Sequence, residues 1–184
     1  MDDYVRIYSV ANEEIVDGMF SFSFEKTWDH KCDSKTLAIE TINENEILVG
    51  SYQKIKKVNI EKNRVNEIMT SGDIWKIKQF SNSEPLIACT SNKTFEIADL
   101  RTNQIVQKFQ NFEKEVKCFE TIPDHTIVYG SNKEIGILDN RNPSSILWSD
   151  SDFHVAPIVD IIKLEDRIIS GDMKGGIFSW ESKN

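Results

Sequence analysis

Residues 168–181 read IISGDMKGGIFSWE, two short runs of strand-forming residues on either side of a glycine pair. Because glycine adopts positive φ without steric cost, Gly175 and Gly176 lie where a tight hairpin turn needs them. β-branched and aromatic residues flank this pair, as they do in strands. The stretch therefore predicts a β-hairpin whose two strands are largely buried.

The same unit recurs along the chain at a nearly constant interval. When the strands that close each hairpin are aligned, one position is occupied by Tyr8, Val58, Ala98, Leu138 and Trp180. These anchors are separated by 50, 40, 40 and 42 residues. The strand before each turn has a small residue at another common position, occupied by Gly50, Cys89, Gly130 and Gly171. Such self-similarity indicates a repeat architecture whose units stack side by side.

Each unit contains four short strand candidates separated by polar turns, and helical periodicity is scarce. We therefore predict an all-β protein of about four blades, each a four-stranded antiparallel sheet. Full blades are predicted at residues 36–69, 73–109 and 115–148. Residues 1–19 hold a partial first blade, and residues 157–184 hold a last blade without its outer strand. All of these blades belong to one predicted domain over residues 1–184. Between the first two blades, Phe20, Phe22 and Phe24 alternate with serines, as in an extended segment.

Residues 171–181, GDMKGGIFSWE, resemble the turn-and-strand signature of the WD-repeat β-propeller family, with Glu181 where Asp is usual. Residues 94–106 and 4–16 resemble the same pattern, with Ala98 and Tyr8 in the place of Trp. The resemblance covers nearly the whole chain and implies a propeller or partial propeller. Four blades are fewer than the roughly seven usual in the family. A piece of a longer chain, an arc completed by a partner or a second copy, and a small closed ring all remain open.

The resemblance also implies roles for polar residues. The family often hydrogen-bonds a His before the first strand to polar groups of the hairpin, and His154 has that spacing. Lys174 stands where the family has Asp, and Thr70 and Phe112 replace His in two earlier units. We therefore expect an incomplete network, with blades held mainly by apolar packing and strand pairing. The residues assigned to the repeat signature are Tyr8, Gly50, Asp99, Gly130, Asp139, His154, Gly171 and Trp180.

Composition narrows the classes of partner and compartment. The formal charge is -8, and no stretch gathers Lys and Arg into a stripe, which argues against nucleic acid. No apolar run approaches the roughly 20 residues of a membrane span, and the first residues lack an apolar signal core. Cys32, Cys89 and Cys118 are far apart and odd in number, which favours a reducing compartment. We expect an intracellular protein, cytoplasmic or nuclear.

Catalytic and metal chemistry find little support in the sequence. His30, His125 and His154 are dispersed, and no metal-type His or Cys spacing occurs. Asp150 and Asp152 precede His154 but are typical turn formers. We predict no catalytic residues, no metal and no cofactor. A small-ligand-binding or enzymatic propeller, acting through its central channel, remains the alternative from another class.

Partner binding is the predicted function: a non-enzymatic scaffold that presents propeller loops to other proteins, with self-association or completion by a missing part as further options. Trp and Arg are favoured interface anchors. An Asp-Xaa-Arg occurs at the same point of two successive units, ending in Arg101 and Arg141. It resembles the doubled pattern with which some WD-repeat proteins dock as substrate receptors on cullin-based ubiquitin ligases, although a structural turn also explains it. The candidate partner-binding residues are Asp73, Trp75, Arg101, Arg141 and Trp148.

Overall fold

The computed structural model describes residues 4–16, 19–31, 35–80, 85–109, 112–122, 125–142 and 146–181. Before residue 35, the described side chains are those of Val5 and Arg6. Over these ranges the chain forms seventeen β-strands and no helix, arranged in antiparallel sheets. The predicted all-β class is confirmed. No helix that could cross a membrane occurs in the described ranges.

The chain divides into two compact units, residues 1–36 and 37–184. The first unit contains β1 (Tyr4–Val16) and β2 (Met19–Lys31), which pair with each other as a two-stranded sheet. The partial first blade was predicted to end at residue 19. In the structure β1 pairs along its whole length with β2, which is equally long, so the sheet extends to Lys31. The backbone at Phe20, Phe22 and Phe24 is extended, as expected, and the side chains of these residues and of Tyr8 lie outside the described set. The single domain over residues 1–184 remains a prediction.

The second unit contains four sheets formed by consecutive strands. Sheets 1 to 3 have four strands each, and sheet 4 has three in the described residues. Sheet 1 comprises β3 (Ala38–Asn43), β4 (Glu46–Ser51), β5 (Lys54–Asn59) and β6 (Arg64–Met69). Sheet 2 comprises β7 (Ile74–Gln79), β8 (Leu86–Ser91), β9 (Thr94–Asp99) and β10 (Gln104–Phe109). Sheet 3 comprises β11 (Val116–Ile122), β12 (Thr126–Ser131), β13 (Glu134–Asp139) and β14 (Ile146–Asp150). Sheet 4 comprises β15 (Ile158–Leu164), β16 (Arg167–Asp172) and β17 (Ile177–Glu181).

The turns of these sheets lie at two opposite ends. We call one end the upper rim; it holds the turns between the second and third strands and the links from one sheet to the next. In sheet 1, Ser51 at the end of β4 pairs with Lys54, and Lys54 pairs with Met69 at the end of β6, so the β4–β5 turn and the link to sheet 2 lie at the same end. The remaining turns lie at the opposite end, the lower rim. Backbone hydrogen bonds tie each link to the preceding hairpin: Val116 N–H donates to Asn92 O and Ile158 N–H to Asn132 O.

Consecutive sheets pack face to face through three apolar clusters. The first lies between sheets 1 and 2, the second between sheets 2 and 3, and the third between sheets 3 and 4. Their fully buried members include Leu48 and Ile74 in the first, Phe95 and Phe119 in the second, and Ile161 in the third. Because apolar burial is worth about 25 cal/mol per Å², these interfaces are the main source of stability in the second unit.

Glycine permits the close approach of one sheet to the next. A Cβ added at Gly50 would lie 2.6 Å from Ile74 Cγ2, and one at Gly130 would lie 3.0 Å from Ile158 Cγ2. The β-branched residue that begins the next sheet occupies this space in both cases. In sheet 2 the equivalent position is Thr90, which pairs with Phe95 as Gly50 pairs with Ile55. The prediction of Cys89 at this position was therefore wrong by one residue, since β8 begins at Leu86.

Candidate functional site

A buried chain of polar groups lies at the upper rim of sheet 4. His154, in the link before β15, places Nδ1 3.1 Å from Asp172 Oδ2 and Nε2 2.8 Å from Ser170 Oγ. Trp180 on β17 donates its indole N–H to the same Ser170 Oγ at 2.8 Å. The side chains of His154 and Asp172 have no exposed surface. One network of hydrogen bonds therefore joins His154 in the link to Ser170, Asp172 and Trp180 in the β16–β17 hairpin.

A neutral histidine satisfies every group in this network. With the proton on Nδ1, His154 donates to the carboxylate and Nε2 accepts from the Ser170 hydroxyl, whose oxygen accepts from Trp180. Asp172 Oδ1 also accepts the backbone N–H groups of Lys174 and Gly176. The hydrogen bond from His154, aided by these two N–H groups, lowers the pKa of Asp172. The expectation of an incomplete network was wrong for sheet 4, where Asp172, two residues before Lys174, supplies the carboxylate.

The same three groups have the connectivity of a nucleophile, a base and an orienting acid. In hydrolases a serine hydroxyl, a histidine and an aspartate are linked in this order. Here Ser170 is fully buried and its oxygen is already bound by Trp180. Since a nucleophile must reach its substrate, these residues act as a structural tie between the link and the hairpin.

The other sheets fill the equivalent volume differently. In sheet 3, Phe112 replaces the histidine and packs edge-on against Tyr129, with ring centroids 5.0 Å apart. The Tyr129 hydroxyl donates to Glu134 Oε1 at 2.7 Å, and burial raises the pKa of Tyr129. In sheet 2, the fully buried Glu96 accepts the Ser71 hydroxyl and pairs with Lys108 Nζ at 3.1 Å. Sheets 2, 3 and 4 therefore each have their own pairing at the upper rim.

The two Asp-Xaa-Arg turns lie at the lower rim and have the same geometry. Arg101 binds its own Asp99 through Nη2 at 2.8 Å and Nε at 3.2 Å, and Arg141 binds Asp139 at 2.7 and 2.9 Å. The side chain of Arg101 is 73% exposed and that of Arg141 is 65% exposed. The hydrogen bond from Arg101 lowers the pKa of Asp99, and that from Arg141 lowers the pKa of Asp139 to about 2.

Asp73 and Trp75 lie at the upper rim where β7 begins, and both are half-buried. The Trp75 ring faces Lys117 Nζ at 4.8 Å from its centroid. Asp73 Oδ1 and Trp75 Nε1 are buried and have no hydrogen-bond partner among the described residues. Buried polar atoms without partners are uncommon and unfavourable, so this is a polar and incompletely paired part of the rim.

A cleft of about 1230 Å³ lies between sheets 3 and 4 and is lined by residues of both. Trp148 on β14 is 43% exposed and lies at its wall, with its ring centroid 6.0 Å from that of Trp180. Phe153, from the link after β14, also packs edge-on against Trp180, with ring centroids 5.2 Å apart. The apolar part of the lining consists of Ile122, Val128, Ile135, Ile137 and Ile168. Charged residues at positions 163, 165–167 and 181 also line the cleft.

Charged residues line the first strands of the sheets. Lys76 Nζ on β7 lies 2.5 Å from Asp160 Oδ1 on β15, although the residues are 84 positions apart. Lys78 Nζ lies 3.6 Å from Glu120 on β11. Burial raises the pKa of Glu40 on β3, opposed by the charge of Lys78. Opposite charges thus lie between the first strands of different sheets.

The structure does not bring the five candidate partner residues to one site. Asp73 and Trp75 lie at the upper rim, Arg101 and Arg141 at the lower rim, and Trp148 in the middle of a strand, opposite Ile137. The cleft and the role of Trp180 in its wall were not predicted from the sequence, although the apolar run 146–148, on the last strand of sheet 3, was a usable signal. The role of Asp172, which immediately follows Gly171, was not predicted either.

Metal and thiol chemistry are not supplied by the described residues. No group of three His, Cys, Asp or Glu side chains within them is arranged to hold a metal ion. Cys89 and Cys118 are buried free thiols. Burial raises the pKa of both thiols, to about 12 for Cys118. These two residues are therefore protonated core groups, and Cys32 lies outside the described residues.

Comparison with known proteins supports the fold alone. No protein-family model matches the chain. No curated protein matches it either. Among solved structures, the crystal structure of the computationally designed Ika4 protein is similar, with a TM-score of 0.69 and 14% sequence identity. The match covers 82% of this chain and 92% of the designed chain.

Proposed function

We propose that this chain is a WD-repeat-like propeller, or part of one, that acts as a non-enzymatic protein-interaction scaffold. Consecutive sheets of paired strands fix the positions of the turns and of the outer strands. A rigid surface loses little conformational freedom on binding, which favours affinity. The partners we propose are other proteins, in the cytoplasm or nucleus, where Cys89 and Cys118 would stay reduced.

The observation that supports this proposal is the aromatic surface around the cleft. Trp148 and Phe153 both contact Trp180, and Ile146 and Leu147 extend the exposed apolar run. Exposed apolar surface bordered by charges is typical of protein interaction sites. Trp is also the residue type that most often dominates an interface energetically.

Quantitative affinity capture tests the scaffold proposal. The tagged full chain should copurify with a protein in near-stoichiometric amount, and Trp148→Ser should remove that protein. Tyr52→Ser is the matched control, since Tyr52 is an exposed aromatic on the β4–β5 turn of sheet 1. Binding should then be reproduced with the two purified proteins. Loss of the partner with both variants, or with neither, would argue against the proposed surface.

A second candidate function is that of a substrate receptor for a cullin-based ubiquitin ligase. It is favoured by the matched Asp–Arg turns on successive sheets, whose guanidinium groups are both largely exposed. An exposed arginine that is bound to its own aspartate can also make a charge-assisted contact with a partner carboxylate. Arg101→Ala combined with Arg141→Ala should abolish ligase copurification and leave the circular dichroism spectrum unchanged. Undiminished ligase copurification would exclude this docking mode.

A further inference from the structure

The outer side of β17 has no strand partner in the described part of the chain. In sheets 1 to 3 a fourth strand pairs with the third, whereas sheet 4 ends with β17. An unpaired strand exposes a row of backbone N–H and C=O groups that can pair with another extended segment. The edge of β17 is therefore a template for strand addition.

The other sheets define the register that an added strand would adopt. Ile177 pairs with Gly171 as Ile55 pairs with Gly50, so β17 is equivalent to β5. In sheet 1, Ile55 lies opposite Ile68 and Val58 lies opposite Val65. A strand added to β17 would accordingly place one residue opposite Trp180 and, three positions later, another opposite Ile177.

These two positions face opposite sides of sheet 4. Trp180 packs against the core between sheets 3 and 4, so the residue opposite it would enter the cleft beside Trp148. Ile105 in sheet 2 is the precedent, since it lies opposite Ala98 and packs on the preceding interface. Ile177 is 74% exposed, whereas the equivalent Ile55 is fully buried. Apolar residues at both positions of the added strand would cover this surface.

Charge around the cleft selects the composition of the added strand. The carboxylates that line the cleft are those of Glu165, Asp166 and Glu181, in a chain whose formal charge is -8. Two cations, Lys163 and Arg167, lie among them, and Arg167 is bound to Glu181 at 2.7 Å. Excess negative charge favours a positively charged segment and speeds its association.

We propose that the edge of β17 binds an extended, basic segment of a partner protein as the fourth strand of sheet 4. Its first apolar side chain enters the cleft beside Trp148, and its second, three residues later, lies beside Ile177. This inference rests on the proposed scaffold function and names the class of partner that it recognises.

A peptide with the sequence of β6 and its flanking residues tests the inference. Residues 63–70 read NRVNEIMT, and their register against β5 contains no bulge. The version with Glu67→Lys, NRVNKIMT, supplies both apolar residues and positive charge. Fluorescence anisotropy with the full chain should give saturable binding that weakens as salt is raised. Replacing the Val and Ile of the peptide by Ser should weaken binding about tenfold or more, and the peptide that retains Glu should bind more weakly.

Strand pairing is tested separately with N-methylated peptides. Alternate amides of a strand point to opposite neighbours, so methylation of one alternating set blocks pairing with β17 and methylation of the other does not. One methylated peptide should bind as the parent does, and the other should lose about tenfold or more in affinity. In the protein, Trp148→Ser should weaken binding and Tyr52→Ser should not. Equal effects of the two methylation sets, or no saturable binding of NRVNKIMT, would overturn the inference.

A second copy of the chain is the competing occupant of this edge. If sedimentation shows a dimer of the chain alone that Trp148→Ser dissociates, the edge serves self-association and the inference is wrong. A failure of the strand-addition inference can be distinguished from a failure of the proposed scaffold function. Capture of a natural partner that depends on Trp148 or on the rims, without peptide binding, refutes only strand addition. Absence of any specific partner refutes the scaffold function itself.

Discussion

Removal of the Ser170 hydroxyl is predicted to destabilise sheet 4 strongly. Ser170→Ala deletes the atom that accepts the Trp180 N–H and that donates to His154 Nε2, both at 2.8 Å. The substitution removes little volume. Its effect therefore comes almost wholly from the two polar atoms that lose their partner.

The magnitude follows from the burial of those atoms. A buried polar atom left without a partner costs about 1–3 kcal/mol, and the His154 side chain has no exposed surface on which water could replace the serine. Trp180 is only partly buried, so its N–H loses about 1 kcal/mol. We expect the free energy of unfolding to fall by about 2–4 kcal/mol.

Urea unfolding of the full chain, followed by circular dichroism, measures this change. Ser149→Ala is the control, because Ser149 is an exposed serine of β14 and should change stability by no more than about 0.5 kcal/mol. Trp180→Phe and Ser170→Ala should be non-additive, since both break one hydrogen bond. If Ser170→Ala costs no more than the control, the network does not support the fold and the reasoning fails.

Two further predictions concern sheet 3 and acid stability. A Cβ at Gly136 would lie 2.4 Å from Tyr129 Cζ, so Gly136→Ala should lower the free energy of unfolding by about 1–3 kcal/mol. A Cβ at Gly171 would have no atom within 4 Å, so Gly171→Ala should change it by no more than about 0.5 kcal/mol. Equal shifts of the melting temperature in the two variants would contradict this packing. The pKa of Asp139 in the folded state is lowered to about 2. The pairing of Asp139 with Arg141 should therefore stabilise the fold fully at pH values above the usual Asp pKa, and this stabilisation should be lost as the pH falls towards 2. Asp139→Asn should therefore reduce stability at pH 7 more than at pH 2.5, and an equal loss at both pH values would refute this linkage.

The sequence sufficed to predict most of the strands in the second unit. Alternating apolar residues and polar turns recur in each unit, so the first two complete sheets lie within the predicted ranges 36–69 and 73–109. The third follows the predicted range 115–148, except that β14 runs two residues further, to Asp150. The register of β8 was wrong because Cys89 and Thr90 are both small enough to stand beside a packed neighbour. A β-strand displaced by one residue turns every side chain to the opposite face, and pairing with Phe95 selects Thr90.

The polar pairings could not be predicted in the same way. The family resemblance placed the expected carboxylate at the position of Lys174. The β16–β17 turn is longer than the equivalent turns of sheets 1 to 3, and Asp172 accepts hydrogen bonds from the backbone N–H groups of this turn. The pair Lys76–Asp160 joins two first strands two sheets apart, and no local pattern encodes it. The cleft depends on how far sheets 3 and 4 separate, which is a property of packing.

Hydrogen exchange at individual amides is the most direct test of an interaction surface built on an open sheet edge. The third strands of sheets 1 to 3, namely β5, β9 and β13, are paired on both sides and should exchange slowly. In the chain without partner, the outward amides of β17 should exchange orders of magnitude faster, and the NRVNKIMT peptide should slow them specifically. Protection of β17 equal to that of β5, β9 and β13 in the absence of any peptide would contradict the account.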